Sequence, residues 1–485
     1  MKNTAHQIIQ AALKAVDPYQ AVLSHLTREG DTLGCGEKSY ALSNFERARV
    51  IGFGKGSAPM ARAVHALLAD RINDGLVIVK YGHTGAGERV SRGERGQGSS
   101  GTGFPACITL AEAGHPTPDE NSVRYTNRLV SMLRGGNARD LLICVTSGGG
   151  SALLTLPAEG VSLADVQLLT QMLLEVGATI NEINTARKHL SQVKGGRLAQ
   201  LAQPATLLNL ILSDVGGDPL DTIASGPTAP DPSTFADALA ILEKYRLTKR
   251  APSSILAHLQ AGIAGKQPET PKVGDPAFEN VQNQIVANNR IALDAAAQKA
   301  REMGWTALAL PAFIEGEARD VAREFVLAAA SSRQYAVSSK EKTTKDEGWR
   351  AKLLSTFRPP SFVFRPVKTA TPTVFMWGGE TTVTIRGEGL GGRNQEMALA
   401  AAIELSGQKN TLAAFFATDG NDGATDAAGA FADGETIARG AAIDLNAQSY
   451  LNSNDSYHFF QAIDDLIITG PTNTNVNDIA LLLVC

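Results

Sequence analysis

Cysteine is scarce: there are four in 485 residues, and none stands in a CxxC pair. That argues against a disulfide framework and the common zinc spacings. Cys35, Cys107, Cys144 and Cys485 read as reduced thiols, with Cys144 packed inside a strand. Positive charge is nowhere concentrated. The net charge is −4 and no basic run exceeds a few residues, which argues against nucleic acid or an anionic membrane as the main partner. Long apolar runs are missing too, so no segment reads as a bilayer span. The opening residues, MKNTAHQIIQAALKAV, lack the apolar core and small-residue cleavage site of an export signal, and the expectation is a cytoplasmic protein. What remains is 43% hydrophobic and 19% charged, ordinary for a globular chain with a large core. The length suggests about two to four domains. Nothing in the sequence speaks to oligomeric state.

Familiar nucleotide cradles are also absent. GFGKGS at 52–57 has the wrong spacing for a Walker A loop and no Ser or Thr directly after Lys55. It also lacks the third glycine of a dinucleotide turn, and no protein-kinase catalytic loop or DFG occurs. What is present is a repeated unit of apolar run, glycine turn and helix: VIGF before Lys55, DLLICV before SGGGS, ATLLNLIL before SDVGGDP. Uniformly apolar strands alternating with helices mark a parallel sheet covered on both faces. The fold class is therefore α/β, with two lobes, each on a mainly parallel or mixed sheet, and the active site expected in the cleft between them. A Rossmann-like N-terminal domain is expected over 1–265, with a glycine- and arginine-rich surface insertion at 82–105. The C-terminal domain is expected over 275–485, with a charged insertion at 335–368. GKQPETPKVGDP supplies the boundary. A single long helical region is expected from about 163 to 202.

The strand-end loops carry the chemistry. They hold Lys55; Ser147, Gly148, Gly149, Gly150 and Ser151; Asp214; Glu380 with Arg393; Asp419; and Asn475. Asp-Gly pairs and strand-end glycines are the commonest turn chemistry, so one such loop means little. Several together, with two cations, a glycine nest and carboxylates, suit phosphoryl transfer. Cations and a metal neutralise the transferring group, and a carboxylate takes the acceptor's proton.

Asp214, Glu380, Arg393, Asp419 and Asn475 lie in four longer motifs, LSDVGGDPLDTIASGPT, GGETTVTIRGEGLGGRNQE, ATDGNDGATDAAGA and TNVNDI, and a fifth, RKHLSQVKGGRLA, stands beside them. Together they resemble the glycerate 2-kinase family, whose C-terminal half is the MOFRL domain. The resemblance implies phosphorylation of D-glycerate by ATP to 2-phosphoglycerate, with Mg²⁺ or a similar ion. It places Lys55, Asp214, Arg393 and Asp419 as catalytic residues. Ser147 to Ser151, Glu380 and Asn475 would bind substrate and nucleotide, and Asp214 and Asp419 would hold metal. Two departures stand out: Gly216 where valine is usual, and Asn473 where glycine is usual, a swap that asparagine's tolerance of left-handed backbone permits.

Six residues have plain structural readings. His115, in a His-Pro turn, reads as a hydrogen-bonding strut. Arg187, Lys188 and Lys194 fit a solvated helix face as well as a binding one. Asp422 and Asp426 can serve as turn holders. Two other functions remain open: an NAD(P)H-dependent hydroxypyruvate reductase, and a non-catalytic two-lobed sugar-acid binder.

Overall fold

The computed structural model describes residues 1–83, 104–338 and 371–485. The two expected insertions lie almost wholly outside the described residues. Two compact units emerge: Asp17–Asn288, and Met1–Val16 together with Asn289–Cys485. This corrects the expected boundary at 265–276 in two ways. The strand that follows that segment completes the sheet before it, and the first helix of the chain joins the last unit.

In the first unit, β1 (Leu26–Glu29), β2 (Thr32–Cys35) and β3 (Lys38–Ala41) form a small antiparallel sheet. The main sheet comprises β4 (Arg47–Phe53), β5 (Ile72–Lys80), β6 (Ile108–Ala113), β7 (Asp140–Thr146), β8 (Thr206–Leu212) and β9 (Val281–Ala287). Its order is β6-β5-β4-β7-β8-β9, all parallel. Counted from β4 this is 3-2-1-4-5-6, the doubly wound order in which ligands bind where the order reverses. All of β7 is buried, including Cys144, because helices cover both faces.

The region 163–202 forms three helices rather than one: Leu163–Glu175, Ile180–His189 and Arg197–Ala202. Gly177 at φ +70° ends the first, and Thr179 opens the second with a capping box to Glu182. Gly195 and Gly196, at φ +55° and +81°, turn the chain into the third.

The second unit holds β10 (Thr306–Glu317), β11 (Thr373–Thr382), β12 (Thr411–Ala417), β13 (Gly429–Asp433), β14 (Leu466–Ile467) and β15 (Asp478–Val484). Their order is β10-β11-β15-β12-β13-β14. Only β10 and β11 run parallel, and the other pairs are antiparallel. Phe325 packs edge-on against Trp377 and Phe415, with centroids 6.2 and 6.3 Å apart. The helix Arg393–Leu405 is buried nearly all round, because its alanines let neighbouring backbone approach on several sides. The helix Lys2–Ala15 buries Ala5, Ile8, Ile9 and Ala12, one stripe at helical spacing, and packs on the helix Asn289–Glu302. Phe459 and Phe460 are fully buried core anchors, as the sequence NDSYHFF suggests. Among the described residues no helix is long and apolar enough to cross a membrane.

Candidate functional site

The reversal point of the first sheet lies between β4 and β7, and the turns after these strands interlock. The Lys55 backbone N–H donates to the Gly148 carbonyl at 2.9 Å. The Gly56 N–H donates to Ser147 Oγ, also at 2.9 Å. Ser147 is 1% exposed, its hydroxyl clamps the turns together, and it is not among the residues that line the cavity beside them. Lys55 stands one residue before Gly56, the N-cap of the helix Ser57–Leu68. Its ammonium forms no hydrogen bond or ion pair with a described residue, so it does not cap that helix.

Beside this junction lies a cavity of about 290 Å³. Gly148, Gly149, Gly150, Ser151 and Asp214 line it, as do His115, Arg187 and Lys194. The glycines are needed for closeness. A Cβ on Gly148 would collide with the Asp214 carboxylate, and one on Gly149, at φ +84°, would sit 2.9 Å from His115 Cδ2. Ser151 Oγ meets Ser225 Oγ at 2.8 Å, and Ser225 donates to Asn184 Oδ1 at 3.0 Å. Ala224 and Ser225 hold φ of +50° and +62°, a conformation that costs a non-glycine residue about 1–3 kcal/mol and concentrates at ligand sites.

Three residues behave differently from their plain sequence readings. His115 is no strut: its Nδ1 is buried without a hydrogen-bond partner among the described residues. Burial, helped by the Lys55 charge, lowers its imidazolium to about 4, so the ring is neutral at pH 7. Lys188 is buried and bridges Asp221 and Asp231 at 3.1 and 3.2 Å. Lys194 is buried too and donates to the Ser151 and Leu154 carbonyls, each at 2.6 Å. Burial, with Arg187's charge nearby, pushes its ammonium down to about 7. Neither lysine belongs to a solvated face. The signal for Lys194 was its place directly before Gly195 and Gly196, a turn that folds the side chain inward.

A second cluster belongs to the other unit. Arg393 opens the helix Arg393–Leu405 and forks onto Asp478, with Nη2 to Oδ1 at 3.0 Å and Nε to Oδ2. Its Nη1 lies 3.4 Å from Glu380, whose other oxygen accepts from Asn477 Nδ2 at 3.0 Å. Asn475 Oδ1 accepts from the Asn477 N–H at 3.1 Å. Burial opposes the Arg393 charge, but the Asp478 fork outweighs it and the guanidinium's pKa is raised. Burial lifts Asp478 to about 6 despite Arg393. Asp422 is also buried, and it accepts the backbone N–H groups of Asn394 at 3.0 Å and Gln395 at 2.8 Å. Asp426 accepts from Tyr457 Oη at 2.7 Å. Asn473 takes φ +60°, the left-handed conformation expected of it. Asp478, the residue that orients Arg393, was not singled out in the sequence.

Asp214 and Asp419 fall in different units. Among the described residues no three His, Cys, Asp or Glu side chains are placed to hold a metal ion. Asp419 is half-buried and accepts the Asn421 N–H at 3.1 Å through one oxygen. An ion that arrives on nucleotide phosphates needs only one or two carboxylates, so either aspartate by itself would suffice to meet it.

Two family profiles match the chain: a domain of unknown function (DUF4147) over residues 4–260, and the MOFRL family over 373–478. A glycerate 2-kinase of Pyrococcus horikoshii is 38% identical over 479 residues, covering 99% of this chain and 96% of its own. A protein of Agrobacterium vitis named for hydroxypyruvate reductase is 37% identical over 485 residues, 100% of this chain and 94% of its own. The crystal structure of a glycerate kinase from Thermotoga maritima superposes with a TM-score of 0.79 at 36% identity, covering 100% of this chain and 99% of that one. With its motifs, its fold and full-length likeness in agreement, the chain belongs to the glycerate 2-kinase family, its C-terminal half carrying the MOFRL domain.

Proposed function

We propose that this chain transfers the γ-phosphoryl group of ATP to the 2-hydroxyl of D-glycerate. The observation that carries the reading is the turn pair at the sheet's reversal point. There the Lys55 backbone is bonded to the Gly148 turn, and that turn and the Asp214 carboxylate line one small cavity, in a chain whose full-length relatives include a glycerate 2-kinase. Lys55 and Arg393 neutralise charge on phosphoryl oxygens, the first as a point charge and the second as a planar fork. Asp214 accepts the proton of the attacking hydroxyl. The Gly148–Ser151 turn, Glu380 and Asn475 hold substrate and nucleotide. Mg²⁺, carried on the phosphates and met by Asp419 or Asp214, supplies further charge neutralisation. The proposal places the protein in the cytoplasm, where four thiols without a mutual disulfide stay reduced.

The Agrobacterium likeness keeps hydride transfer to hydroxypyruvate as the second reading, although the turn after β4 lacks the glycine pattern of a dinucleotide site. Phosphorus NMR of the products from purified protein, ATP, Mg²⁺ and D-glycerate tests the first. 2-Phosphoglycerate is expected. Phosphate on the 3-hydroxyl, or no phosphorylated product beside NADH oxidation with hydroxypyruvate, overturns it.

A further inference from the structure

We infer that Arg187 is the specificity-determining residue of the cavity beside the Gly148–Gly150 turn, where its guanidinium grips the carboxylate of a short hydroxy acid. The inference rests on the phosphotransfer reading for the identity of that acid, and on the cavity itself for the rest. Among the described residues, Arg187, Lys194 and Asp214 are the charged side chains lining the cavity, and His115 beside them is neutral at pH 7. Lys188, next to Arg187 in sequence, is neutralised by Asp221 and Asp231. Lys194 directs N–H groups at two backbone carbonyls. Arg187 differs from both: it makes no hydrogen bond or ion pair with a described residue, and burial lowers its pKa with no opposing contact.

A partly buried guanidinium without a partner among the described residues is stabilised by an anion that reaches it through the cavity. Its planar fork matches a carboxylate with two parallel bonds, which a lysine cannot supply. The cavity's size selects among anions. At about 290 Å³ it lies at the lower edge of small-ligand pockets, roughly 300–1,000 Å³, and suits a small acid better than a nucleotide. The walls suit a short acid as well. Val166, Ile180 and Leu190 give it an apolar wall, while Ser151, Asn184 and Asp214 offer partners for hydroxyls.

The test uses Arg187→Gln and Arg187→Lys in the full-length protein, with steady-state kinetics, calorimetric titration of D-glycerate, and melting temperature. Loss of a charged bidentate contact should raise the glycerate KM and Kd by about 50-fold or more in Arg187→Gln, with KM for ATP within about twofold. Arg187→Lys should recover part of that loss. Glyceramide, which lacks the carboxylate charge, should bind parent and Arg187→Gln alike. The Arg187→Gln melting temperature should hold or rise, because an uncompensated charge has gone. A glycerate Kd within about threefold of the parent overturns the inference, and so does a loss that falls on ATP instead, which would assign the arginine to a phosphate. If the parent makes no phosphoglycerate yet binds glycerate through Arg187, the phosphotransfer reading falls and this one stands. If the parent does not bind glycerate, this one falls as well.

Discussion

At the scale of single residues, Arg393 and Lys55 differ in how far they are committed before a ligand arrives. Arg393 is held along one edge by Asp478 and keeps 32% of its side chain exposed, whereas the Lys55 ammonium has no partner among the described residues. Removing a cation that acts on transition-state charge typically costs on the order of 10²-fold in rate. Lys55→Ala and Arg393→Ala should each lower kcat/KM by at least that factor at unchanged melting temperature for Lys55→Ala. Arg393→Lys should recover only part, since the fork is lost. Near-parental kcat in both alanine variants, measured beside their melting curves, would remove them from the chemistry. Both cations were legible in the sequence because each follows a strand and a glycine turn. Asp478 was not. It begins an apolar run, NDIALLLV, and its importance comes from register: it lies opposite Gly379 on one side and Ala417 on the other, at the start of a central strand. Pairing that joins residues so far apart in sequence leaves no local mark.

At the scale of elements, the helix Arg393–Leu405 has no side-chain cap of its own. Asp422 does that work from 28 residues downstream, accepting the Asn394 and Gln395 N–H groups and both their side-chain amides. Asp422→Ala leaves the buried Asn394 and Gln395 N–H groups without an acceptor, while their side-chain amides keep Asp478 and Thr425, and should lower stability by roughly 2–5 kcal/mol and kcat with it, because Arg393 opens the same helix. Circular dichroism melting checks this, and a shift below about 1 °C would mean that water or a neighbour replaces the carboxylate. The sequence reading had Asp422 as a holder of its own turn; the turn it holds is the start of a distant helix. The strands and most helices were legible from periodicity. The expected long helix over 163–202 was not three helices on paper, because helical periodicity continues across Gly177 and only the backbone's left-handed turns break it.

At the scale of the whole molecule, buried titrating groups shape stability against pH. Lys194 binds its proton only below about pH 7 when folded and up to its ordinary value near 10.5 when unfolded. Between those limits the unfolded chain holds more protons, so this residue makes stability rise with pH. Above about pH 9 the buried thiols of Cys35 and Cys144, raised to about 11 and about 12, act in the opposite sense. The clean window is therefore pH 7 to 9. There the unfolding free energy of the parent minus that of Lys194→Met should grow by up to about 1.4 kcal/mol per pH unit, read from urea titrations. A flat difference would mean that Lys194 keeps its proton in the cavity. The division into units carries a consequence of another kind. The helix Lys2–Ala15 is made before Asp17–Asn288, yet its packing partner, Asn289–Glu302, is made only after the whole of that unit. At about 5–20 residues per second the wait is on the order of tens of seconds, during which Ile8 and Ile9 have no native surface to cover them. The nascent chain thus carries an apolar stripe through most of its synthesis, a natural handle for a ribosome-bound chaperone, and any split of the gene into two polypeptides has to leave residues 1–16 with the second.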